Sequence, residues 1–178
     1  MFPRILNRSA KVDFVKTRSL AGKEMAYSEE RLIGYSREQM FDIVVDVSKY
    51  QHFVPWCQHS RVFKEQENLK LVEMEIGFPP LMERYQSRVI HVRPSVVHSY
   101  VIDDSVFNTL ETTFRFARGQ SMSQQCCTLH YDLIFEFKSE LHSHVAHLFF
   151  DKEHWISFSR SSITVSQINS GSSPLRHD

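Results

Sequence analysis

The sequence predicts an α+β fold in which one antiparallel sheet turns an apolar face toward helices. Three observations predict it. A capped helical segment stands near the start, apolar residues alternate in strand after strand from about Cys57, and one amphipathic stretch near the end can cover the inner face. The 178 residues, 42% hydrophobic and 24% charged, suffice for one domain with a core, since a chain of ~150 residues buries about 70% of its unfolded surface.

No strand pattern precedes Met25, so the first strand is placed at that point. Ser36 and Gln39 then form a capping box: the hydroxyl accepts from a free N–H of the first turn, and the amide reaches back to the cap. Met40, Val44 and Val47, with Phe41 and Val45 beside them, recur at helical spacing and predict a buried stripe. A short helix is expected next. The connection "YQHFVPWC" then gathers Tyr50, Phe53, Val54 and Trp56 around Pro55, with hardly a charge among them.

In "KLVEMEIGF", Val72, Met74 and Ile76 alternate with Glu73 and Glu75, so one face of the strand is apolar and the other wet. "GFPP" cannot continue a strand, because successive prolines remove ladder donors, and it predicts a stiff apolar corner. "MERYQSRVIHV" sets Tyr85, Ser87 and Val89 against Arg84, Gln86 and Arg88, and "PSVVHSYVI" follows as a further strand after Pro94. "VFNTLETTFRFARG" sends Leu110, Thr112, Phe114 and Phe116 to one side. "CTLHYDLIFEF" does the same with Cys127, Leu129, Tyr131, Leu133, Phe135 and Phe137. The stripe Leu141, Val145, Leu148 and Phe149 predicts a final helix from about Ser139 to Phe158 or Arg160. The Ser-, Asn- and Gly-bearing tail 161–178 is expected to be disordered.

Several functions find no support. Twenty-one basic and twenty-one acidic side chains leave no net field for nucleic acid or an anionic membrane. Cys57, Cys126 and Cys127 are an odd set without CxxC spacing, which fits a reducing compartment and neither a disulfide framework nor zinc. No window approaches the ~20 apolar residues of a spanning helix, so membrane contact is expected to be peripheral. Among the ten histidines, His142, His144, His147 and His154 cluster, yet residues two apart point to opposite sides of a helix, and no second ligand set is in sight. The neighbours Cys126 and Cys127 should face opposite sides of a strand with no base beside either. Glu111 falls on the wet face without a partner carboxylate. The five glycines form no phosphate-cradling loop.

The opening "MFPRILNRSAKVDFVKTRSLAGKEMAY" carries Arg4, Arg8, Lys11, Lys16, Arg18 and Lys23 against Asp13 and Glu24, with apolar residues between. This resembles a mitochondrial transit segment, and an ordinary basic leader has the same composition.

The stretches "YSEERLIGYSREQMFDIVVDVSKYQHFVPWC", "EIGFPPLMERY", "FNTLETTFRF" and "FEFKSELHSHVAHLFFD" resemble the mitochondrial coenzyme Q-binding proteins of the START (polyketide cyclase-like lipid transport) superfamily, in the family's order, from about Tyr27 to Asp151. Bacterial ribosome-association toxins share much of the pattern. The resemblance implies a helix-grip fold, a curved antiparallel sheet wrapped around a C-terminal helix with an apolar cavity between them. It divides the chain into a leader over 1–24, a START-like domain over 25–160 and a divergent tail over 161–178. After "HLFFD" the chain departs from the family: it turns polar where relatives continue an amphipathic helix, so a helix stopping near Phe158 would leave the cavity short of part of its lid.

What the resemblance implies is a non-enzymatic ubiquinone-binding lipid chaperone. It would serve respiratory electron transport and coenzyme Q biosynthesis, peripheral on the matrix side of the mitochondrial inner membrane, with ubiquinone or a similar isoprenoid lipid as ligand, no other cofactor, no metal and no nucleic acid. Phe53, Pro55 and Trp56 would stand at the cavity entrance, with Phe78 and Pro79 on the neighbouring corner and Phe149 on the final helix. By alternation, Met74, Ile76, Tyr85, Leu110, Phe114 and Phe135 either line the cavity or fill a solid core. The other functions compatible with the pattern are a translation inhibitor like the bacterial toxins and a cyclase-type enzyme using the same cavity.

Overall fold

The computed structural model describes residues 24–54, 56–78, 81–103, 106–119 and 126–139, with backbone alone at positions 78 and 81. Seven strands form one antiparallel sheet: β1 Met25–Ile33, β2 Cys57–Gln66, β3 Leu69–Phe78, β4 Leu81–Val92, β5 Val96–Val101, β6 Phe107–Arg118 and β7 Cys127–Phe137. Between β1 and β2 come helix α1, Arg37–Val45, and a 3-10 helix, Val47–His52. The sheet order β1-β7-β6-β5-β4-β3-β2 is a meander from β2 to β7, with β1 added beside β7. Register shifts at Cys57/His59 and Val62/Lys64 in β2, and at Phe107/Thr109 in β6, are bulges that bend and curve the sheet.

The expected elements from β1 to β7 are present in the expected order. The final helix, the tail after residue 160 and the leader before Glu24 lie outside the described residues. The capping box of α1 is formed: Gln39 N–H donates to Ser36 Oγ at 3.2 Å, and Ser36 N–H donates to Gln39 Oε1 at 3.0 Å. Its stripe buries Met40, Phe41 and Val44. Phe41 meets Phe116 and His91 edge-on, with centroids 6.1 and 5.9 Å apart, so α1 covers the inner face where β4 and β6 carry those rings.

Alternation is cleanest in β7, where every second residue from Cys127 to Phe137 is buried. The opposite face is wet and laced with ion pairs, among them Arg61 with Glu73 at 3.3 Å and Arg84 with Glu75 at 2.6 Å. Glu111 stands on this face, 3.7 Å from His98 Nε2. Cys127, the first residue of β7, is buried, and Cys126 just before the strand is half-buried. β3 ends at Phe78 and β4 starts at Leu81, while the two prolines expected to form the corner lie outside the described residues. Just before it Gly77 adopts φ 131°, a conformation that only glycine takes without strain, and its N–H donates to the Trp56 carbonyl at 2.8 Å. That bond joins the aromatic connection to the end of β3.

Candidate ligand-binding cavity

Above the inner face lies a cavity of about 120 Å³. Its wall includes Val47 and Tyr50 of the 3-10 helix, Val54 and Trp56 of the connection, and inward residues of β3 to β7. Strand register brings these together: Val89 faces Ser99, Ser99 faces Thr112, and Thr112 faces Leu133, a row crossing four strands. The connection is fixed by local bonds. Val54 N–H donates to the Tyr50 carbonyl at 2.8 Å, and Cys57 N–H to the Val54 carbonyl at 3.0 Å. Ser60 Oγ donates to the Val47 carbonyl at 2.8 Å, tying β2 to the 3-10 helix.

Of the residues expected at the cavity, the structure places Trp56, Met74, Ile76, Tyr85, Leu110 and Phe114 on its wall. Phe53 and Phe135 are not on the described wall. Phe53, expected at or near the entrance, is 6% exposed and follows the 3-10 helix, with its ring against that of the wall residue Tyr50, centroids 5.4 Å apart. Phe135 shares the inner face with the wall residues of β7, but its ring packs against Phe137 at 5.8 Å and fills core beside the cavity. Pro55, Pro79 and Phe149, and the side chain of Phe78, lie outside the described residues.

The wall also contains residues that the sequence reading did not select. Ser87 and Val89 follow Tyr85 on the same face of β4, and Val97, Ser99 and Val101 come from β5. The alternation that pointed to Tyr85 and Phe114 could have found them, had small side chains been weighed as cavity-forming. Away from the cavity, β1 carries an unforeseen polar group: buried Glu29 accepts from Tyr27 Oη at 2.7 Å and pairs with Arg31.

Burial governs the wall's protonation. It pushes the phenols of Tyr50, Tyr85 and Tyr131 above their ordinary range. The Tyr50 hydroxyl donates to the Val44 carbonyl at 2.7 Å, and Tyr85 Oη donates to the Met74 thioether sulfur at 3.3 Å. Behind the wall, burial pushes the Cys57 thiol up to about 12 and the Cys127 thiol up to about 11, so neither is a thiolate nucleophile at neutral pH. No Asp, Glu, His, Lys or Arg is on the described wall. Among the described residues no three His, Cys, Asp or Glu side chains are grouped to hold a metal. Such a wall can hold an apolar molecule and offer it hydroxyl hydrogen bonds.

A curved one-sided antiparallel sheet enclosing an apolar cavity is the architecture of the helix-grip fold. The chain belongs to the polyketide cyclase / dehydrase and lipid transport family, whose model matches residues 33–154. It is 45% identical over 133 residues to the mitochondrial coenzyme Q-binding protein COQ10 homolog B of Xenopus laevis, across 75% of this chain and 54% of that protein. It is 36% identical to the Drosophila melanogaster coenzyme Q-binding protein COQ10, across 83% of this chain and 61% of that one. The chain thus spans a little over half the length of these relatives. The ribosome association toxin RatA of Pseudomonas aeruginosa matches at 28% identity across 62% of this chain and 74% of its own. Among solved structures, the Zhui aromatase/cyclase from Streptomyces superposes with a TM-score of 0.63 at 9% identity, covering 83% of this chain and 96% of that one. That likeness shows the helix-grip fold.

Proposed function

We propose that this chain is a non-enzymatic binding protein for a prenyl quinone, a lipid chaperone for coenzyme Q in respiratory electron transport and quinone biosynthesis. The observation that carries the reading is the cavity wall, apolar across five strands and bearing hydroxyls as its polar groups. An isoprenoid chain has no hydrogen-bonding groups, so its affinity comes from burial at roughly 25 cal/mol per Å², less the cost of ordering it. The names of the two most similar relatives described above add weight, and both proteins are mitochondrial by name.

The ligand roles of Trp56, Met74, Ile76, Tyr85, Leu110 and Phe114 belong to this proposal, as does a peripheral place on the matrix side of the inner membrane. Half-buried Trp56 borders both the cavity and the surface, where an amphipathic ring suits a bilayer interface. No helix among the described residues is long and apolar enough to cross a membrane. A cyclase using the same cavity is the second reading, less favoured because the described wall carries no Asp, Glu, His or Lys, and the toxin likeness is lower in identity and covers less of the chain.

The test is extraction of lipid from the purified chain, with identification by mass spectrometry. Recovery of ubiquinone in proportion to folded protein is expected. Recovery of phospholipid alone, or of no lipid, would overturn the reading.

A further inference from the structure

On β4 two polar side chains face the cavity with their hydrogen-bonding capacity poorly used. Ser87 is 2% exposed, and its Oγ has no hydrogen-bond partner among the described residues. Tyr85, two positions away on the same face, spends its hydroxyl on the Met74 sulfur, a weak acceptor. Its ring is held edge-on by Phe107, with centroids 5.4 Å apart, so the hydroxyl is fixed in place. Both side chains are on the cavity wall. A buried hydroxyl without a partner costs free energy, and a ligand that brings an acceptor removes that cost.

We propose that Tyr85 and Ser87 form a polar anchor for the oxygen atoms of the ligand's ring, so that a prenyl quinone enters head first and its chain runs out past Trp56. This rests on the prenyl-quinone reading above. Tyr85 Oη donates to one ring oxygen, leaving the sulfur, and Ser87 Oγ donates to another. The apolar wall around them excludes water and strengthens both bonds.

The test uses the full chain, its Tyr85→Phe and Ser87→Ala variants, and two probes: a short-chain ubiquinone, and squalene, an isoprenoid hydrocarbon without oxygen. Each substitution should weaken ubiquinone binding about 5- to 10-fold, the range of one net hydrogen bond. Squalene binding should be unchanged. Ser87→Ala should also melt at the same temperature as the parent or higher, because it removes a buried unpaired hydroxyl, whereas a serine with a structural role would lower it.

Unchanged ubiquinone binding in both variants, or equal losses for both probes, would overturn the anchor and leave quinone binding standing. Failure of the parent chain to bind the short-chain ubiquinone would overturn both.

Discussion

The inner face of the sheet divides into two halves that share a backbone pattern and differ in side-chain volume. On β6 and β7 it presents mostly rings and leucines, with Thr112 and Cys127 among them, and the rings pack on one another: Phe107 with Phe137 and Phe114 with Tyr131 both have centroids 4.7 Å apart. On β4 and β5 it presents Tyr85, then Ser87, Val89, Val97, Ser99 and Val101. Both halves alternate and both face inward. Both halves border the cavity: hydroxymethyl and isopropyl groups on β4 and β5 leave the space, and Phe107, Phe114, Tyr131 and Phe137 on β6 and β7 close it from the other side. Alternation therefore builds the sheet, and volume along two strands makes the room.

If the comparison holds, truncation on the packed half should cost the most. Phe135→Ala removes a side chain that is 3% exposed and packed on Phe137, and it should cost about 4 kcal/mol in urea denaturation. Its ubiquinone content per folded molecule should stay at the parent level. A loss below ~1 kcal/mol would show that the packed half is as loose as the other.

A smaller effect is expected at the rim. Trp56→Ala should cost about 1.5 kcal/mol of stability and lower co-sedimentation with ubiquinone-loaded phosphatidylcholine vesicles. A stability loss matching Phe135→Ala, with vesicle binding intact, would place Trp56 in the core.

The smallest effect concerns pH. Burial raises the Cys57 thiol from its ordinary value of 9.0 to about 12 and that of Cys127 to about 11. The folded chain thus holds these protons where the unfolded chain has lost them. Their contribution to stability is complete below about pH 9 and is lost as pH rises from there through about 11 for Cys127 and about 12 for Cys57. Cys57→Ala should flatten the alkaline limb of a stability curve, and at pH 8 a thiol reagent should modify half-buried Cys126 before the two buried cysteines. Equal reaction rates would contradict the burial of Cys57 and Cys127.

The strands and α1 were legible in the sequence because their determinants are local. Ser36 and Gln39 close a capping box within one turn, and the alternation of β7 needs no distant partner to be seen. The cavity was only half legible. Met74, Tyr85 and Phe114 could be set on the inner face by period, but which inward residues border empty space depends on register between strands, and register is a long-range property.

That is why Phe135 was expected on the wall while Ser99, facing Val89 and Thr112, was not. β1 departs from the pattern of the other strands. Its inward Glu29 and its outward Leu32, 57% exposed, reverse the usual hydropathy. The reversal is stable because Tyr27 and Arg31 supply Glu29 with partners. Phe53 stands one contact behind the wall, on Tyr50, a distinction that sequence spacing does not carry.

That the quinone is held in the cavity is tested most directly by filling the space that the small side chains of β4 and β5 leave. Val97, 3% exposed and on the cavity wall, becomes large in Val97→Phe. The measurement is ubiquinone retained per folded molecule after purification, by extraction and mass spectrometry, beside the melting temperature. The account predicts that the parent carries ubiquinone, and that Val97→Phe melts within a few degrees of it, since the added ring enters existing space, but retains less than about a tenth of the quinone, a change of roughly 1.4 kcal/mol or more. Equal retention in a folded Val97→Phe chain would contradict it.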